Sequence, residues 1–144
     1  MRALYFAYGS NLSSARLRSR VPSAQVVGAA RLRGFRFTCC KRGGDGSGKA
    51  NLQADGAGVV WGAVYAFDPR AWATLDACET LYTRIAVRVE TSDQELEVET
   101  YRSDALTDDP VPFAWYRQLI LDGAREHALP EDYLRTLVAL PSRD

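Results

Sequence analysis

The chain has 144 residues, 47% of them hydrophobic, which suits one globular domain over 1–144 with its own core. Its 18 basic and 18 acidic residues cancel, so no global field directs it to nucleic acid or to an anionic membrane. No apolar run approaches the roughly 20 residues that a membrane-spanning helix needs.

RALYFA, 2–7, reads as a buried strand that stops at Gly9; its apolar core is too short for a signal peptide. NLSSARLRSR, 11–20, reads as a short helix with Asn11 or Ser13 as its cap, ended by Pro22. QVVGAARLRGFRFTCC, 25–40, is rich in strand formers, and Gly28 and Gly34 mark bulges or bends. KRGGDGSGK, 41–49, reads as a flexible loop, and ANLQADGAG as a short strand with a turn at Asp55-Gly56. VVWGAVYAF, 59–67, is a strand of nearly all apolar residues. Asp68 can then cap a helix with Pro69 at its first position, DPRAWATLDACE. YTRIAVRVE, 82–90, and LEVETYRS, 96–103, alternate with period two and pair as a hairpin across Ser92-Asp93-Gln94. From Pro112 onward the chain is helical in two segments divided by Pro130. The order predicts an α+β domain with a mixed or antiparallel sheet, which a barrel is one way to curl, since the helices are too few to wrap a doubly wound parallel one.

Cys39, Cys40 and Cys78 show no CxxC spacing, against a disulfide framework or a zinc site. They read as small hydrophobes in a reducing, cytoplasmic setting. His127, the one histidine, sits near a helix end in a solvated or dipole-stabilised position. Without a nucleophile elbow it makes no Ser-His-Asp arrangement.

Two glycine-containing stretches compete as anion sites. GGDGSGKA, 43–50, fits G-x-x-x-x-G-K, but Ala50 stands where Ser or Thr would hold magnesium, and no helix follows. A nucleotide-binding reading therefore competes with a plain loop. FAYGSNL, 6–12, has the context the other lacks, a strand entering and a helix leaving. A positive φ at Gly9 would turn successive N–H groups inward as a nest for a carboxylate or an oxyanion. The competing reading is an ordinary strand-to-helix turn. Glu79 closes the helix 68–79 beside Trp72, Leu75 and Tyr82. Apolar neighbours and the negative helix end both raise a carboxyl pKa, which suits a general base; the alternative is a surface glutamate.

Taken together, YFAYGSNL (5–12), PSAQVVGAARLRGFRF (22–37), VVWGAVYAF (59–67), LDACE (75–79), YTRIAVRV (82–89) and WYRQLILDGAREHALPEDYL (115–134) resemble the gamma-glutamylcyclotransferase family. The resemblance implies a small mixed β-barrel flanked by helices. It implies a cofactor-independent cyclisation that releases 5-oxoproline and an amine or amino acid, with no metal. It carries the family's catalytic glutamate onto Glu79 and the substrate loop onto Tyr5, Phe6, Ala7, Tyr8, Gly9 and Ser10, with Asn11 behind. Tyr82, Tyr101 and Tyr116 match family tyrosines that line the pocket or the core. The expected partner is a small γ-glutamyl compound for a monomer or homodimer. A non-catalytic module holding an acidic metabolite is the alternative. The segment between Glu79 and Tyr82 is shorter than in some members, so the pocket rim differs. The glutathione-specific branch has another glycine loop, which disfavours intact glutathione.

Overall fold

Strand β1 (Ala3–Ala7) enters the molecule between two partners, and this placement builds the site. The computed structural model describes residues 1–144. After β1 come a 3₁₀ turn (Ser10–Leu12), α1 (Ser14–Arg20), β2 (Gln25–Arg42) and β3 (Gly48–Phe67). A second 3₁₀ turn (Pro69–Ala71) leads into α2 (Trp72–Cys78), then β4 (Thr83–Glu90), β5 (Glu95–Arg102), α3 (Ala114–Glu126) and α4 (Glu131–Val138).

The five strands close into a barrel in the order β1-β3-β2-β4-β5. β1 runs antiparallel to the end of β3, from Ala3 opposite Phe67 to Ala7 opposite Ala63. It meets β5 in parallel at Tyr5 and Glu99, and this contact closes the ring. Thr100 Oγ1 donates to the Phe6 carbonyl across the same seam at 2.7 Å. In the VWG strand the glycine is required for space: a Cβ on Gly62 would stand 2.2 Å from the Ala7 oxygen and 2.9 Å from the Phe6 ring. The core fills from all layers. Phe6, Leu12, Leu17, Leu52, Leu75, Ile120 and Leu137 are fully buried, each worth about 1.5–3 kcal/mol of apolar transfer.

Several expectations change. The first helix does not start at Asn11. A 3₁₀ turn intervenes, and Ser13 is the cap of α1, its Oγ accepting from Arg16 N–H at 3.3 Å. No turn occurs at Asp55-Gly56. β3 runs through it, and residues 55–58 are accommodated opposite Gly34 by a register shift between Arg33–Val59 and Phe35–Ala54. Gly34 takes φ 89°, which only glycine adopts freely. The 41–49 segment is not a loose loop either. β2 extends to Arg42 and β3 begins at Gly48, leaving a short connection pinned by Asp45. Asp45 accepts from Ser47 N–H at 3.0 Å and from Ser47 Oγ at 2.6 Å, and these bonds hold its pKa down at about 2. His127 is not solvated. Its ring Nε2 lies 2.8 Å from Tyr65 Oη and 2.9 Å from the Leu12 carbonyl, which ties α3 to the connection after β1.

Candidate active site

Asp68 caps the 3₁₀ turn before α2 by accepting from Arg70 N–H at 2.9 Å, and Pro69 follows at the first position. The helix buries Trp72 and Leu75, and Glu79 is its C-terminal cap. The Glu79 side chain is 15% exposed and turns toward the connection after β1. Asn11 Nδ2 donates to Glu79 Oε1 at 2.8 Å and to Tyr5 Oη at 3.1 Å. Arg20 Nη1 lies 3.5 Å from Glu79 Oε1 and donates to Asn11 Oδ1 at 3.3 Å. Asn11 thus holds the carboxylate through its amide while its own oxygen is held by Arg20. Burial pushes the Glu79 carboxyl above its ordinary range, against the opposing pull of Arg20, Asn11, Arg16 and Lys41.

The connection after β1 forms the opposite wall. Its 3₁₀ bonds run from Leu12 N–H to the Gly9 oxygen at 3.0 Å and from Ser13 N–H to the Ser10 oxygen at 3.2 Å. The amides that start such a turn have no carbonyl within it. Gly9 does not take a positive φ: its angles are φ −108° and ψ −136°, so the wall is a turn start and not the expected nest. Glycine is needed there for space, since a Cβ would stand 2.8 Å from the Ala50 Cβ.

Tyr5, Tyr8, Gly9, Ser10, Asn11, Ala50, Glu79, Tyr82, Tyr101 and Tyr116 line one cleft of about 290 Å³. Three tyrosine hydroxyls are spent on the frame. Tyr8 donates to the Tyr101 carbonyl at 2.6 Å, Tyr82 to the Ala50 carbonyl at 2.6 Å, and Tyr101 to Asp76 Oδ1 at 2.6 Å. Tyr5 and Tyr116 differ, because each accepts a bond, from Asn11 and from Ala50 N–H at 3.0 Å respectively, and keeps its own proton. Burial pushes both phenols well above their usual range, so both remain O–H donors.

Known proteins resemble this chain in sequence and fold. The profile of the AIG2-like family covers residues 59–137. Gamma-glutamylcyclotransferase from Homo sapiens is 34% identical over 98% of this chain and 80% of its own length. Gamma-glutamylcyclotransferase from Bos taurus is 33% identical over 98% of this chain and 80% of its own length. The chain belongs to the gamma-glutamylcyclotransferase family. A solved gamma-glutamyl cyclotransferase superposes with a TM-score of 0.93 at 29% identity, over 100% of this chain and 90% of that one.

Of the positions carried over from the gamma-glutamylcyclotransferase family, nine line the cleft: Tyr5, Tyr8, Gly9, Ser10, Asn11, Glu79, Tyr82, Tyr101 and Tyr116. Phe6 and Ala7 do not. Strand alternation turns Phe6 to the other face, where it is fully buried against Gly62, and Ala7 is sealed against β3. The short segment after Glu79 places Leu81 at φ 68°, with Ser103 Oγ donating to its carbonyl at 2.7 Å. The second glycine-rich stretch supplies no phosphate loop. Its Lys49 pairs with Asp45 at 3.1 Å and lies 4.5 Å from the centre of the Tyr116 ring.

Sequence reasoning missed Arg16, Arg20, Lys41 and Ala50. The two arginines had a signal, a spacing of four that puts both on one helix face. Lys41 and Ala50 had none, because their approach to Glu79 and Gly9 depends on how β2 and β3 curl.

Proposed function

We propose that this protein is a gamma-glutamyl cyclotransferase: it cyclises a γ-glutamyl group to 5-oxoproline and releases the amine or amino acid attached to it. The observation that carries the reading is the meeting of a buried carboxylate, Glu79, with the turn start at Gly9–Asn11 across one cleft.

The nucleophile belongs to the substrate. Glu79 takes a proton from the α-ammonium, and the freed amine attacks its own γ-carbonyl carbon. A five-membered ring forms and the carbonyl oxygen becomes an oxyanion. Turn amides and the free protons of Tyr5 and Tyr116 supply donors for that oxygen and for the α-carboxylate. The ring nitrogen still carries a second proton after attack. As the oxyanion collapses and the bond from the γ-carbon to the leaving nitrogen breaks, that proton and the one returned by Glu79 both pass to the leaving nitrogen, which departs as an ammonium. A γ-glutamyl amide gives 5-oxoproline and a free amine, with no atom left over.

The ring closes only when the flexible γ-glutamyl chain folds back on itself. A cleft that holds both ends supplies this orientation, an effect of up to about 7–11 kcal/mol in well-oriented intramolecular reactions. Asn11 and Arg20 hold the carboxylate toward the cleft, and the raised pKa of Glu79 brings it closer to the operating pH of a base.

Mass spectrometry of a panel of γ-glutamyl compounds incubated with the protein tests the reading. 5-Oxoproline is expected from at least one. Binding without any 5-oxoproline on prolonged incubation would instead describe a metabolite-holding module and overturn it.

A further inference from the structure

A second cavity of about 440 Å³ opens from the cleft and shares Ser10, Glu79, Tyr82 and Tyr116 with it. Its remaining charged lining is entirely basic: Arg16, Arg20, Lys41 and Lys49. Two of these cations already face carboxylates, Arg20 beside Glu79 at 3.5 Å and Lys49 beside Asp45 at 3.1 Å. Arg16 spends its Nε on a neutral partner, Ser10 Oγ, at 3.2 Å.

Lys41 is the outlier. The residue is only 5% exposed, yet its ammonium makes no hydrogen bond and no ion pair. Its Nζ lies over the face of Tyr82, 4.8 Å from the ring centre. Desolvation pulls its pKa down, and Glu79 and Asp45 act only at a distance to hold it up. The stem of Lys41 is buried while its Nζ is not sealed off, so this cation, with no anion beside it, opens onto the cavity.

Glu79 lies on the boundary of the two cavities, and under the cyclotransferase reading it must reach both the attacking amine and the leaving nitrogen. With the γ-glutamyl group in the inner cleft, the leaving group extends into the basic one. We propose that Lys41 and Arg16 bind the carboxylates of the leaving group, so that the preferred substrates are γ-glutamyl compounds of acidic amino acids. This rests on the cyclotransferase reading and deepens it. Neutral amino acids offer one carboxylate to these two cations, and simple amines offer none. An ε-linked lysine carries its α-carboxylate several bonds farther from the scissile amide and adds a cation of its own.

The test is 5-oxoproline release from γ-glutamyl-glutamate, γ-glutamyl-alanine and γ-glutamyl-ethylamide, by the wild type, Lys41→Met and Arg16→Gln. For the wild type, kcat/KM falls in that order, on the order of tenfold for each carboxylate removed. In Lys41→Met the ratio of γ-glutamyl-glutamate to γ-glutamyl-ethylamide shrinks about tenfold or more, through KM. Arg16→Gln, on the surface of α1, shrinks it in the same direction and carries the test if Lys41→Met fails to fold. Equal wild-type kcat/KM on all three compounds overturns this proposal alone. So does an equal fall in kcat on all three in both variants, which would make the cations tuners of Glu79. No 5-oxoproline from any of them overturns the cyclotransferase reading itself, and this proposal with it.

Discussion

Glu79 carries opposing influences, and their balance makes a prediction about pH. Burial raises its pKa, while Arg20 is the largest force lowering it, ahead of Asn11. In the proposed cyclisation Glu79 acts as a base and must be ionised, so kcat/KM is expected to fall as pH drops through a value above the ordinary carboxylate range. Arg20→Gln removes the main attraction, raises the Glu79 pKa further, and moves this acid limb to higher pH. A kcat/KM profile of the two proteins against pH reads the displacement, and a downward shift would mean that Arg20 does not govern Glu79. The linkage has a definite sign. The folded protein keeps a proton that the unfolded chain has already released, so stability contributed by Glu79 declines as pH rises from the ordinary range to the raised value. Sequence placed the carboxylate at the end of a capped helix near Trp72, Leu75 and Tyr82, where it could equally be a surface glutamate, and the family resemblance singled it out. Its partner Arg20 was not legible, because the pair spans 59 positions and exists only in the folded chain.

The connection from β1 to α1 is shaped by elements remote in sequence. α3 presses on it so closely that a Cβ on Gly123 would stand 2.4 Å from the Leu12 carbonyl carbon and 2.6 Å from Ser13 N. Both contacts are backbone, so neither can rotate away. Gly123→Ala is expected to destabilise by about 1–3 kcal/mol, the usual cost of overpacking. Denaturant unfolding measures this, and an unchanged midpoint would show that α3 can retreat freely. Gly9→Ala meets Ala50 across the cleft and displaces the turn that holds Ser10 and Asn11. Its kcat/KM for 5-oxoproline release is expected to fall at least about tenfold, as small misplacements of reacting groups do. Local chemistry announced much of this element: the strand, the cap at Ser13 and the glycine itself. The reason for the glycine was hidden. Sequence pointed to a positive φ, whereas the structure uses the missing Cβ to let Ala50 approach.

The barrel has two narrow seams, β2 to β4 at Arg31 and Glu90 and β1 to β5 at Tyr5 and Glu99, and the second closes the ring. Two side chains stitch it, Thr100 to the Phe6 carbonyl and Tyr8 to the Tyr101 carbonyl. Thr100→Val keeps the shape and leaves the buried Phe6 oxygen without that donor, at a cost of about 1–3 kcal/mol. Chemical denaturation would show it, and a midpoint equal to wild type would mean the seam closes without this bond. The β4–β5 hairpin was readable from alternation and its turn residues, since its pairing is local. The long β2–β3 hairpin was broken at Asp55-Gly56, because an Asp-Gly pair imitates a turn, and at 41–49, where the glycines imitate a loose loop. Closure was not visible in periodicity at all. It joins residues near 5 to residues near 100; the element order offered a barrel as one way for the sheet to curl, and the family resemblance implied it.

The same closure sets Glu79 opposite the Gly9–Asn11 turn, and the account stands or falls on that meeting. The most direct measurement is 5-oxoproline release by Glu79→Gln beside the wild type, with thermal unfolding of both. Gln keeps the size of the side chain and an oxygen for Asn11, but it cannot accept the substrate's proton. The expected result is a kcat lower by about 10²–10⁴-fold, with a midpoint within about 4 °C of wild type. Wild-type turnover in a folded Glu79→Gln protein would contradict the account.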